Sequence, residues 1–335
     1  MKLQTNYMGI ELKNPLIIGA CTLSAKESNL IEMQNQGAAA IVYKSLFEEQ
    51  LHLENLALGN SIEDYAGNHP EITTPIVSMD FQGPKEYIYQ LKKARKTLNI
   101  PLFASLNAVY DDSWVDYARQ IEKTGVDGLE INLYSLPKDM NSIGMPILDW
   151  QYKILKNLRE AVDIPLAVKL SPYYDNAVEV VRKMDDIGAD AFVLFNRFFQ
   201  PDIDLEKEEL YFPYNLSTEN DYRLAMRFAG ILYHRIEANI CSSNGVYNGK
   251  DLAKLLLAGT DTVQIVSTLY RNGFGQIKTI LDELEQWMNS KGYSNIKEFQ
   301  GKLSSYSLKD PFAYNRAQYI DILLNNTEIE NKLHF

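Results

Sequence analysis

Eight short apolar runs alternate with amphipathic stretches from residue 15 to about 290, and six of these runs have a Lys or Asn within two residues of their C-terminal ends. The runs cover 15–20, 38–44, 101–107, 128–134, 165–170, 191–196, 238–243 and 262–267. Helical periodicity places helices near 27–36, 84–98, 112–124, 147–162, 175–187, 220–234, 249–258 and 274–290. Several of these stretches stop at Gly, as in Gln36-Gly37, Thr124-Gly125, Ile187-Gly188 and Ala258-Gly259. Strands separated by helices build βαβ units, and eight such units close a parallel barrel. The expected fold is therefore α/β, a (β/α)8 TIM barrel, with residues 1–335 forming one domain. Lys44, Asn107, Asn132, Lys169, Asn196 and Asn244 then fall at C-terminal strand ends. That rim is where barrels of this kind bind ligands. Two ammonium groups and four side-chain amides there suit an anionic ligand rich in carbonyls and phosphate.

Composition narrows the class. The 335 residues carry 33 basic and 44 acidic side chains, a formal charge of -11, which argues against general binding to nucleic acid or an anionic membrane. Cys21 and Cys241 have neither metal nor redox spacing and fit a reducing compartment, so a cytoplasmic location is expected. Met1-Lys2 leads into Gly9-Ile10-Glu11-Leu12 without an apolar leader, and no apolar stretch is long enough to span a bilayer. The histidines His52, His69, His234 and His334 lie far apart, so no metal site is expected. No Gly-x-Ser-x-Gly elbow supports a serine hydrolase.

Two connections are too long for turns, 46–75 and 197–219, and both leave C-terminal strand ends, so both should overhang the mouth. Residues 291–335 form an aromatic tail expected to pack on the barrel, and no repeat or flexible linker divides the chain.

Asn239-Ile240-Cys241-Ser242-Ser243-Asn244-Gly245-Val246 is a strand and small polar turn before a helix, and Thr262 to Thr268 repeats the design. Turns after strands seven and eight of a barrel commonly hold phosphate. Gly245 permits close backbone approach, while Ser243, Ser267 and Thr268 offer hydroxyls; the alternative is ordinary turn and capping residues. Lys169, in Ala-Val-Lys-Leu-Ser-Pro, is costly to bury unless it meets negative charge. For it and for Lys44 the alternative is an ammonium that snorkels from a strand end to water.

At these residues the chain resembles the class 1 dihydroorotate dehydrogenases, FMN-binding (β/α)8 barrels. The similarity runs from Asn14-Pro15 to about Leu303. It covers residues 37–45, Glu-Ile-Asn-Leu at 130–133, Val-Lys-Leu-Ser-Pro-Tyr-Tyr-Asp at 168–175, Asn244-Gly245 and Gln264 to Thr268. It continues through Trp287 to Tyr293 and Phe299 to Leu303, outside any site. The resemblance implies FMN, with phosphate on Asn244, Gly245, Ser267 and Thr268. Gly19, Ala20 and Cys21 would line the flavin, Lys44 and Ser45 would lie near its ring, and Lys169 would stand at its N1/O2 edge. Lys44, Asn132, Asn196 and Arg197 would face substrate, with Asn132 also touching flavin. A homodimer is implied, and any iron–sulfur centre would need a separate subunit.

The family's Asn-Leu-Ser-Cys-Pro-Asn loop reads Asn132-Leu133-Tyr134-Ser135-Leu136-Pro137 here. Ser135 therefore stands at the position of the catalytic base, as Ser does in the membrane-bound class. Pro137 replaces one substrate Asn, and another is missing from the region 74–81. Arg197, where a small residue is usual, is expected to supply a new anion contact. The expected activity is FMN-dependent oxidation of a CH–CH bond beside a carbonyl, dihydroorotate to orotate or a related cyclic amide. A reductase of another pyrimidine or an enoate, and a flavin-binding barrel without turnover, are the alternatives.

Overall fold

The computed structural model describes residues 2–47, 84–107, 111–133, 144–197, 200–213 and 216–314. Strands β3 (Leu16–Ile18), β4 (Ala40–Val42), β6 (Leu102–Asn107), β7 (Gly128–Asn132), β8 (Leu166–Leu170), β9 (Ala191–Leu194), β12 (Asn239–Ser243) and β13 (Thr262–Ile265) pair in parallel. Pairing of Ile41 with Leu102 and Val42 with Phe103 joins β4 to β6 and closes the ring. The (β/α)8 barrel is thus the fold. Helices α1 (Glu27–Asn35), α2 (Pro84–Thr97), α3 (Asp111–Glu122), α4 (Gly144–Ala161), α5 (Ala177–Ile187), α6 (Tyr222–Leu232), α7 (Gly249–Ala258) and α9 (Gln276–Lys291) follow the ring strands in turn. Their apolar stripes bury Met33, Leu91, Trp114, Leu155, Met184 and Leu284 against the outer strand faces.

The N-terminal end is plugged by a hairpin that the periodicity did not reveal. β1 (Thr5–Tyr7) and β2 (Ile10–Leu12) turn at Met8-Gly9, both at positive φ, and bury Tyr7, Met8 and Leu12 with Phe103, Ala167 and Cys241 inside the ring. Asn239 Oδ1 accepts from the Met8 amide at 2.8 Å and ties this plug to β12.

One local device recurs around the same end. Gly125-Val126-Asp127, Gly188-Ala189-Asp190 and Gly259-Thr260-Asp261 each leave a helix through a Gly at positive φ, where a Cβ would be strained. Each Asp then accepts the amide of the neighbouring strand, Leu102 at 2.8 Å, Leu166 at 2.7 Å and Ile240 at 2.7 Å. Arg95, Arg159 and Gln300 answer the same three carboxylates. Adjacent strands are pinned in register below the rim that carries the polar tips.

Several boundaries differ from the periodicity. The last strand stops at Ile265, and Ser267 opens a separate six-residue helix, α8 (Ser267–Asn272), because Gly273 breaks the run before α9. A two-residue strand, β5 (Leu46–Phe47), pairs with the top of β6. The 197–219 connection contains an antiparallel hairpin of β10 (Asp202–Asp204) and β11 (Glu209–Tyr211). The tail packs through Phe299, fully buried against Trp287, and through the Gly301 and Ser305 amides on the Leu256 and Gly230 carbonyls. Ser135, Pro137, the region 74–81, nearly all of 46–75 and residues 315–335 lie outside the described residues.

Candidate active site

The C-terminal rim encloses a cavity of about 340 Å³, lined from β3, β4, β8, β9, β12 and β13 and the segments that leave them. Ala20, Cys21, Lys44, Ser45, Lys169, Asn196, Arg197, Asn244, Gly245, Ser267 and Thr268 all contribute to its wall. Two residues expected there do not. Gly19 lies behind the wall, with Gln264 Oε1 3.1 Å and Val266 Cγ2 2.9 Å from where its Cβ would be. Asn132 is buried and donates to Ser105 Oγ at 3.2 Å; Ser105 in turn meets Ser45 Oγ at 2.7 Å. A second cavity of about 390 Å³ shares Phe195, Asn196, Arg197, Ser243 and Asn244 and extends past Tyr173, Gln200 and Asp221.

The charges are more balanced than the polar tips suggested. Lys169 Nζ donates to Glu130 Oε1 at 3.3 Å and to Gln264 Oε1 at 3.2 Å, both on side chains buried in the barrel. Arg197 is tied to Asp221 Oδ2 at 2.8 Å and to the Leu216 carbonyl at 3.3 Å. Its guanidinium thus anchors the segment before α6 while it also lines the cavity. Lys44 is the one cation on the wall without an ion pair among the described residues.

The strand-seven and strand-eight turns are clasped by Ser217. Its hydroxyl accepts from the Gly245 amide at 3.0 Å, its amide donates to Ser267 Oγ at 2.9 Å, and its carbonyl takes the Tyr247 hydroxyl. Asn244, at φ 73°, turns its side-chain amide to the Phe195 carbonyl at 2.8 Å, beside Ser243 Oγ at 2.7 Å. Ser267 and Thr268 hydroxyls each accept one hydrogen bond, from Ser217 and Asn272, which leaves their protons for the cavity. The Cys21 thiol, pushed up chiefly by burial, is no activated nucleophile.

A flavin mononucleotide needs an apolar ledge, donors and positive charge along one ring edge, and donors for its phosphate. Ala20, Phe195, Val246 and Val266 supply the ledge, Lys169 and Lys44 the charge, and Ser267 and Thr268 spare hydroxyl protons. The residues present fit that group. Glu130, Gln264, Ser105 and Ser217 were missed as site residues by the sequence reading. For Glu130 and Gln264 a signal exists, since each is a lone polar side chain in an otherwise apolar strand and must find a partner.

Among the described residues no cluster of His, Cys, Asp and Glu could hold a metal ion, and no helix is long and apolar enough to cross a membrane. Residues 2–288 match the family model described as Dihydroorotate dehydrogenase. The chain is 26% identical over 309 residues to a Methanocaldococcus jannaschii protein named Dihydroorotate dehydrogenase B (NAD(+)), catalytic subunit, covering 89% of this chain and 97% of that one. A Geotalea uraniireducens protein of the same name is 26% identical over 318 residues, 90% of this chain and 98% of the relative. The Saccharomyces cerevisiae protein named Dihydroorotate dehydrogenase (fumarate) is 27% identical over 329 residues, again 90% and 98%.

Proposed function

The chain belongs to the dihydroorotate dehydrogenase family, and from that premise we propose that it is an FMN-dependent enzyme oxidising dihydroorotate to orotate in pyrimidine biosynthesis. The observation that carries this reading is the gathering of Lys44, Lys169, Asn196, Gly245, Ser267 and Thr268 on one cavity from separate strand ends. Bound FMN supplies the hydride acceptor for the saturated C–C bond. The chain supplies position and charge. Ser267, Thr268 and the Asn244-Gly245 turn hold phosphate, Lys169 presents an ammonium to the ring, and Ala20 and Val266 shield it from water. Asn196 and Lys44 bind the substrate's amide and carboxylate, and Asn132, through Ser105, holds Ser45 beside Lys44.

Ser135 is proposed as the base that takes the substrate proton. A hydroxyl is a weak base near neutral pH, so Ser135 works through a water and favours alkaline conditions. Pro137 in place of an amide favours a second reading, a reductase of another cyclic amide or enoate, because a site that loses hydrogen-bonding groups changes its selectivity. Steady-state assay of the FMN-loaded chain with a dye acceptor separates the two: orotate accumulates under the first reading. Dye reduction with other dihydropyrimidines, and none with dihydroorotate, favours the second. A homodimer belongs to the same proposal, and light scattering on the loaded protein gives its mass.

A further inference from the structure

Three polar side chains close a ring inside the barrel beneath the cavity. Glu130 sits between Leu129 and Ile131, Lys169 between Val168 and Leu170, and Gln264 between Val263 and Ile265. Such side chains persist in an apolar strand only when partnered. Lys169 donates to Glu130 Oε1 and Gln264 Oε1 at 3.3 and 3.2 Å, and Gln264 Nε2 donates to Glu130 Oε2 at 2.5 Å. The Gln264 amide has one orientation that serves both partners, oxygen to the ammonium and nitrogen to the carboxylate. In the ring order, β7 and β13 stand on opposite walls, so the Glu130–Gln264 bond crosses the barrel. An ammonium has three donors; two are spent on this ring, and one remains for the cavity that Lys169 lines.

We propose that Glu130, held by Gln264, is a positioning residue for Lys169 that fixes the ammonium and cancels part of its charge, and so sets the reduction potential of a flavin bound above it. This inference rests on the flavin reading given under Proposed function. Reduction adds negative charge to the cofactor, so the net charge of the Lys169–Glu130 pair decides how strongly the reduced form is favoured. Glu130→Gln keeps the shape and removes the compensating charge.

The test is the midpoint potential of the FMN-loaded protein, equilibrated anaerobically with reference dyes, for wild type, Glu130→Gln, Lys169→Met and the double variant. Glu130→Gln should favour the reduced flavin at least tenfold over wild type, a rise of about 30 mV for a two-electron couple. Lys169→Met should lower the potential. On that background Glu130→Gln should shift the potential by less than it does with Lys169 present, because the ammonium that Glu130 positions is gone. Where Glu130→Gln does not fold, Glu130→Asp withdraws the carboxylate by one methylene and should move the potential the same way by less. An FMN-loaded, folded Glu130→Gln or Glu130→Asp at the wild-type potential overturns the inference alone, as does an undiminished shift in the Lys169→Met background. A wild-type chain that takes up no FMN overturns the flavin reading and this inference with it.

Discussion

The Gly245 amide donates to the Ser217 hydroxyl at 3.0 Å, so the turn after β12 is clasped by the segment that leads into α6. Gly245 lies at φ +67°, and a Cβ there would come within 2.7 Å of the Asp221 amide, the Thr218 carbonyl and the Tyr222 amide. All three are backbone atoms that cannot swing aside. Close approach at this glycine is thus set by the protein's own chain as well as by any phosphate.

Gly245→Val must therefore displace residues 218–222, and with them Ser217 and the Asp221–Arg197 pair. The expected outcome is loss of bound FMN together with about 1–3 kcal/mol of stability from the strained φ. Visible absorbance and thermal unfolding of the purified variant read both. Ser217→Ala should keep the fold and weaken FMN binding.

Lys169→Ala strands Glu130 as a buried carboxylate with Gln264 as its remaining partner among the described residues. Breaking a buried pair from one side costs about 3–5 kcal/mol, whereas replacing both charges can be nearly neutral. Urea unfolding should show a large loss for Lys169→Ala and recovery of most of it in Lys169→Met with Glu130→Gln. Lys169→Ala should also slow flavin reduction, since the ammonium acts on charge that develops at the ring.

The Cys241 thiol is pushed up to about 12, chiefly by burial inside the barrel. In the unfolded chain it titrates near the ordinary thiol value, roughly 8.5. A group raised on folding contributes stability that is complete below its unfolded value and is lost as pH climbs toward its folded one. Stability should therefore fall from about pH 8.5 upward, before the tyrosines of the unfolded chain begin to ionise near pH 10. Cys241→Ala should reduce that early decline and leave the share of Cys21, read as the urea midpoint at successive pH values.

Ser135→Ala should lower the rate of flavin reduction by dihydroorotate about 10²–10⁴-fold, the usual contribution of a positioned proton acceptor. FMN occupancy should be unchanged. An equal rate in wild type and variant would remove Ser135 from the proposed chemistry.

The barrel was legible because strand and helix periods differ, and the runs ending at Asn107 and Asn132 survive as strand ends. The β1–β2 hairpin was not, because three-residue strands carry too little alternation to register. Lys44 and Lys169 were readable as cations at strand tips. What each ammonium meets was not, since Glu130 and Gln264 lie 134 positions apart and only barrel closure brings them together. For Arg197 likewise, nothing local announces its pairing with Asp221.

The most direct test of the proposed function is the first half-reaction, followed by stopped-flow absorbance after anaerobic mixing of the FMN-loaded chain with dihydroorotate. The proposal predicts rapid bleaching of the oxidised flavin band, faster at alkaline pH, with one orotate formed per flavin reduced. A flavin that stays oxidised in saturating dihydroorotate, in a protein that photoreduces normally, would contradict it.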